Sequence, residues 1–152
     1  MPRSKMVTTD LDDIIAELVR TTDHKTLGTW AADCAKRVLP YFENKYPEDP
    51  RPRKAIEALR TWVKTGEFHM AEVRGASLTA HAAARDVAED DAARSVARAA
   101  GQAMATAHVP THSIAVAIYA ATAVRDATGS MDEVKKEREW QYQHLRTLRG
   151  SD

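Results

Sequence analysis

The chain has 152 residues, enough for one domain that buries a sizeable core without disulfide or metal staples. Lysine plus arginine (22) equals aspartate plus glutamate (22), so no global field draws the molecule to nucleic acid or to an anionic membrane. The single cysteine, Cys34, excludes an intrachain disulfide, and no stretch reaches the ~18 consecutive apolar residues of a membrane span.

Residues 1–8 read as a flexible N-terminus without the apolar core of a signal peptide, which points to a cytoplasmic location. Thr9 with Asp12 three positions on forms a capping box, and Leu11, Ile14, Ile15, Leu18 and Val19 follow at helical spacing. A first helix is therefore predicted over about 10–20. Thr22 or Asp23 opens the second, whose apolar side carries Leu27, Trp30, Ala31, Cys34, Val38 and Leu39. Pro40 has no N–H to donate and its ring clashes with the preceding turn, so it should kink or stop that helix. A turn or two over Tyr41–Tyr46 can continue beyond it. The stretch from Tyr46 to Pro52 is the clearest loop, and Asp49 can cap the helix that follows.

That helix is predicted over about 50–65, with Ile56, Leu59, Trp62 and Val63 inward and Gly66 as its stop. The next covers about 68–88, with Met70, Val73, Ser77, Ala80, Ala84 and Val87 on one stripe. Glu89-Asp90-Asp91 breaks it and places negative charge where the following helix dipole favours it. The helices over about 91–108 and 111–127 are alanine-rich and apolar nearly all round, which puts them at the centre of a bundle or partly in a homodimer interface. Ser130 and Glu133 make a second capping box for a charged helix over about 131–149, with a thin line of Val134, Gln141, Leu145 and Leu148 beside Trp140 and Tyr142.

No alternating apolar run and no hairpin signal competes. The expected fold is all-α: a single-domain bundle over 9–150 of about six to seven mostly antiparallel helices. Its alanine-rich pairs hint at a helical-repeat stack, with self-similarity too weak to define a repeat.

Several polar residues could carry chemistry. His108 and His112 are four apart, a metal-binding spacing on a continuous helix, but Pro110 breaks the helix between them. His81 and Arg85 sit one turn apart, as do Asp33 and Arg37, an i, i+4 pair that normally makes a surface salt bridge. Were Asp33 to face His81 or Arg85, a buried polar cluster would result. Cys34 falls on an apolar face and reads as an inert buried thiol. Arg51, Arg53 and Arg60 with Lys54 form the one basic concentration, yet Glu48, Asp49 and Glu57 interleave with it. No Walker loop, GxGxxG, GxSxG or CxxC is present. No catalytic residue, cofactor or metal ligand is therefore assigned.

Three stretches carry a resemblance. They are Trp30-Ala31-Ala32-Asp33-Cys34-Ala35-Lys36-Arg37-Val38-Leu39-Pro40; Asp49-Pro50-Arg51-Pro52-Arg53-Lys54-Ala55-Ile56-Glu57-Ala58; and His81-Ala82-Ala83-Ala84-Arg85 with Ala105-Thr106-Ala107-His108-Val109-Pro110-Thr111-His112. Together they resemble the small bacterial and archaeal proteins called putative immunity proteins, similar to antitoxins of polymorphic toxin systems, over about residues 24–127. The resemblance implies an intracellular protein that binds and neutralises a cognate toxin. It brings no catalytic residues. It marks Asp33, Arg37, Arg51, Arg53, His81, Arg85, His108 and His112 as polar positions that build a binding site or hold the bundle together.

The expectation is a non-enzymatic binding protein whose partners are a protein toxin and, in a homo-oligomer, a second copy of itself. Trp62, Phe68, Trp140 and Tyr142 are its candidate aromatic anchors. One alternative is a small-molecule or metal-dependent enzyme using His81, His108 and His112 with Asp33. Another is a nucleic-acid accessory protein using Arg51, Arg53 and Arg60, which the neutral charge disfavours.

Overall fold

A computed structural model describes residues 5–150. Among these the chain is helical, with no strand: α1 (Asp12–Arg20), α2 (His24–Val38), α3 (Pro40–Glu43), α4 (Arg51–Thr65), α5 (Met70–Asp86), α6 (Asp91–Thr106), α7 (His112–Thr128) and α8 (Met131–Leu148). No helix among the described residues is long and apolar enough to cross a membrane.

Local chemistry accounts for the boundaries. Thr9 donates its N–H and its hydroxyl to the Asp12 carboxylate, half of the predicted capping box, while the Asp12 N–H turns to the Thr9 backbone carbonyl instead of to its hydroxyl. Asp23 accepts from the Thr26 N–H at α2, Asp90 from Ala93 at α6, and Ser130 from Glu133 at α8. Asp49 accepts the Arg51 N–H at the start of α4. Gly66 and Gly129 adopt φ of 72° and 67° and close α4 and α7 in the left-handed conformation that a side chain disfavours. Pro40 does what its ring dictates: α2 ends at Val38, Leu39 is the joint, and Pro40 opens the four-residue α3.

α6 lies at the centre, packed against α7 and α5 on its flanks and against α4, α2 and α3 as well. Twelve of its residues are buried, half of them alanine. Small side chains let the neighbouring backbones come close, and dispersion over many short contacts replaces the large side chains of an ordinary core. The apolar side chains form one continuous core running from Val7 to Leu145. Val7 belongs to it: its N–H donates to the Thr122 hydroxyl of α7. Residues 1–4 of the predicted flexible start lie outside the described residues.

Two inward assignments fail. Ile14 is 46% and Met70 39% exposed. α1 is short and packs on α7, so its stripe of five is wider than the contact, and Ile15 and Val19 fill it. Met70 is the first residue of α5, and the helix meets the core one turn later at Val73.

A buried polar node joins α1, α2, α7 and α8. The Trp30 indole N–H donates to the Gln141 backbone carbonyl, and the Gln141 amide donates to the Ala117 carbonyl. Arg138, 1% exposed, donates to the Gln141 side-chain oxygen at 2.8 Å and to Asp12 at 2.7 Å, leaving its Nε without a partner. Removing the guanidinium would strand these acceptors, so Arg138→Ala should lower unfolding free energy by about 3 kcal/mol or more, read from urea denaturation at fixed m-value.

Gly28 is fixed by space. A methyl there would sit 2.7 Å from Val63 Cγ2 and 3.0 Å from the Trp62 ring, and neither the β-branched side chain nor the packed indole yields easily. Gly28→Ala should therefore cost roughly 1–3 kcal/mol, despite the better helix propensity of alanine, and thermal unfolding by circular dichroism would show it.

Candidate functional site

The polar positions fall into three groups rather than one. The first holds α8 against α2. Arg37 grips Glu137 with both arms of its guanidinium, at 2.8 and 2.9 Å, and the same group lies 3.9 Å over the Trp140 ring. Trp140 stacks on His144 at 4.5 Å. His144 Nε2 contacts Asp33 Oδ2 at 2.7 Å, and Asp33 Oδ1 accepts from Arg60 of α4 at 2.8 Å. Asp33 and Arg37 thus turn to partners on other helices instead of to each other. Trp140, covered by Arg37 on one side and His144 on the other, is part of this ladder. Cys34 is buried beneath it; burial pushes its thiol up, with Glu137 and Asp33 adding to the effect, so it stays protonated.

The second group sits where α3, α4 and the end of α5 meet. Arg51 holds Asp49 at 2.6 Å and Asp86 at 2.9 Å. Arg53 forks onto Glu43 at 2.6 and 2.8 Å and holds that carboxyl below the usual range. With Arg60 on Asp33, each of the three arginines proposed for nucleic acid already has a carboxylate.

The third group lies along the open side of α6, where α5 and α7 flank it, and it gathers His81, Arg85, His108 and His112. Arg98 of α6 donates to His81 Nδ1 at 2.8 Å. Since arginine only donates, His81 must be the neutral tautomer with its proton on Nε2. His112 Nδ1 donates to the Gln102 amide oxygen at 2.7 Å. His108 is exposed and stacks on Phe68 at 5.7 Å. Pro110 keeps α6 and α7 apart between the two histidines.

Gly101 makes this arrangement possible. The His81 ring lies flat on the α6 backbone, so a methyl at Gly101 would come 2.6 Å from Nε2. Ser77 donates to the Gly101 carbonyl at 2.9 Å one turn earlier on α5. A glycine in the middle of an alanine helix is a legible sign of close approach. Arg98 and Gln102, which position the two rings, carry no such mark.

Burial pushes His81 down to about 4 from its ordinary 6.5, with Arg98, Arg85 and His112 contributing in that order. His112 is lowered too, by burial first and then by His108. A group whose folded pKa is depressed adds stability that is present above its unfolded pKa and lost as pH falls through the folded one. Part of the stability of the chain should therefore disappear between pH 6.5 and about 4. His81→Gln should flatten that stretch of the pH–stability curve, and the His81 ring protons should titrate near pH 4 by NMR.

The four-residue His/Asp cluster of the enzyme alternative is not assembled. Asp33 is engaged with His144 and Arg60 rather than with His81. Among the described residues, no three His, Cys, Asp or Glu side chains are placed to hold a metal ion. Of the aromatic anchors, Trp62 is buried, Trp140 and Tyr142 are half-buried, and Phe68 is exposed.

No curated protein and no solved structure matches the chain. One sequence family does, described as Imm-5 like putative immunity protein, over residues 17–148. That span takes in α2 to α8 and all three polar groups, so the chain belongs to the Imm-5 like putative immunity protein family.

Proposed function

We propose that the chain neutralises a cognate protein toxin by binding it directly in the cytoplasm, without catalysis. The observation that carries this is the family match over residues 17–148, which runs through the whole packed bundle rather than a detachable motif. Its polar residues support the same reading. Arg37, Arg51, Arg53 and Asp33 are paired across helices, and His81 and His112 are each fixed by a neighbour on α6. Groups held this way stiffen a surface, and a preorganised surface binds a partner at low entropic cost.

The test is co-production with the products of the genes that flank this one, screened for a product that arrests growth when made alone. The expected result is restored growth of cells making the toxin, together with a stable 1:1 complex of the purified proteins by size-exclusion chromatography with light scattering. Rescue of growth without any complex, or with covalent change to the toxin, would overturn the proposal.

A further inference from the structure

α5 leaves one long side without a partner in the fold. Val73, Ala80, Ala83 and Ala84 are buried. Its acidic residues turn toward α4: Glu72 lines a cleft of about 390 Å³ with Thr61 and Thr65, and Asp86 pairs with Arg51. Of the other exposed positions after Met70, Ala71, Gly75 and Thr79 are small, and the long side chains are Arg74, Leu78 and Arg85. At about 100° per residue, these three fall within roughly 40° of one another on the helix.

Each member of this stripe is unusual in the molecule. Leu78 is 60% exposed, the highest value among the exposed large hydrophobic side chains. Among the described residues, Arg74 and Arg85 are the arginines that make no hydrogen bond, ion pair or ring contact; Arg85 bears on His81 through its charge. The others each hold a carboxylate, a carbonyl, a histidine or an aromatic ring. Phe68 and Met70, 38% and 39% exposed, extend the apolar surface from the N-terminal end of α5. Aromatic, methionine and arginine side chains are the residues enriched at protein interfaces, and here they lie together on one exposed side of α5.

We propose that this stripe of α5 is the surface on which the toxin docks, and that the toxin's matching surface is acidic. It would offer an apolar recess for Leu78 with a carboxylate on each side, about 16 Å apart, the axial rise of 11 helical residues. The assignment rests on the direct-binding reading above. Charge complementarity sets the choice of occupant: the chain is neutral as a whole, but this stripe is cationic, and the two acids of α5 lie off it, Asp86 on Arg51 and Glu72 beside the α4 cleft. A nucleic acid is a poorer match, because a phosphate backbone rewards a continuous run of cations and has no use for a leucine between two arginines.

The experiment measures binding of the purified full chain to the toxin found by that growth screen, in a variant that no longer arrests growth, by calorimetry and at several salt concentrations. The variants are R74E/R85E, the milder R74Q/R85Q, and K64E/K135E as a control with the same charge change on α4 and α8. All replace exposed side chains, and thermal melts confirm that each is folded. The expected result is roughly 100-fold weaker binding for R74E/R85E, a smaller loss for R74Q/R85Q, and a change under twofold for K64E/K135E. Raising salt should weaken the wild type and leave R74E/R85E little affected. Wild-type affinity retained in R74E/R85E overturns the docking surface and leaves direct binding standing. A wild type that does not bind the toxin overturns direct binding, and the docking surface falls with it. A 20-base-pair DNA duplex that binds the wild type but not R74E/R85E, with toxin binding unchanged, overturns the acidic-protein assignment.

Discussion

The structure depends on how closely other helices can approach α6. Five elements surround it, and none could do so if its buried positions carried leucine or phenylalanine. Alanine is what permits the geometry, and its small area is the cost. Each methyl removes little surface from water, so cohesion comes from the number and closeness of contacts. The larger side chains are displaced to the periphery of this centre: Trp30 and Phe42 near α2 and α3, Leu59 on α4, Leu145 on α8. Gly28 and Gly101 are the two places where even a methyl is too large, one for a neighbouring indole and one for an imidazole.

A centre made this way has little room for polar groups, and they are sorted accordingly. Those that are buried bond to one another, as Arg138 does with Asp12 and Gln141, with its Nε alone left over. Those at the helix seams pair across elements, as Arg37 does with Glu137 and Arg51 with Asp49 and Asp86. Most of the described arginines are thus held by a carboxylate or another acceptor within the fold. Against that pattern, the open side of α6 and the outer stripe of α5 are the exceptions, and they adjoin each other through His81 and Arg85.

Much of this was legible in the residues. Helix order, the Pro40 break, the caps at Thr9, Asp23, Asp49 and Ser130, and the central position of the alanine-rich pair all follow from local chemistry acting within a few residues. Gln141 was read as part of an apolar line, and it is indeed inward, though as a hydrogen-bonding member of a buried node. What was not legible is partner choice across the bundle. Asp33 and Arg37 have the spacing of a pair, and nothing local says that His144 and Glu137, 111 and 100 residues later, compete for them and win. Burial on both sides favours those longer-range partners, because a fork onto a half-sheltered carboxylate is stronger than an exposed i, i+4 contact. The same reason hides Arg98 and Gln102: an arginine and a glutamine on an alanine helix look like solubilising residues until α5 and α7 are in place.

Arg149, just beyond α8, reaches the Leu18 carbonyl and the hydroxyls of Thr21 and Thr22 at the end of α1. With Arg138 on Asp12, this ties the first helix to the last. The two contacts run the same way along both helices: the head of α1 meets the middle of α8, and the tail of α1 meets the end of α8. A nick in the chain between α1 and α2 would therefore leave α1 seated, held by α7 and α8 instead of by its covalent link.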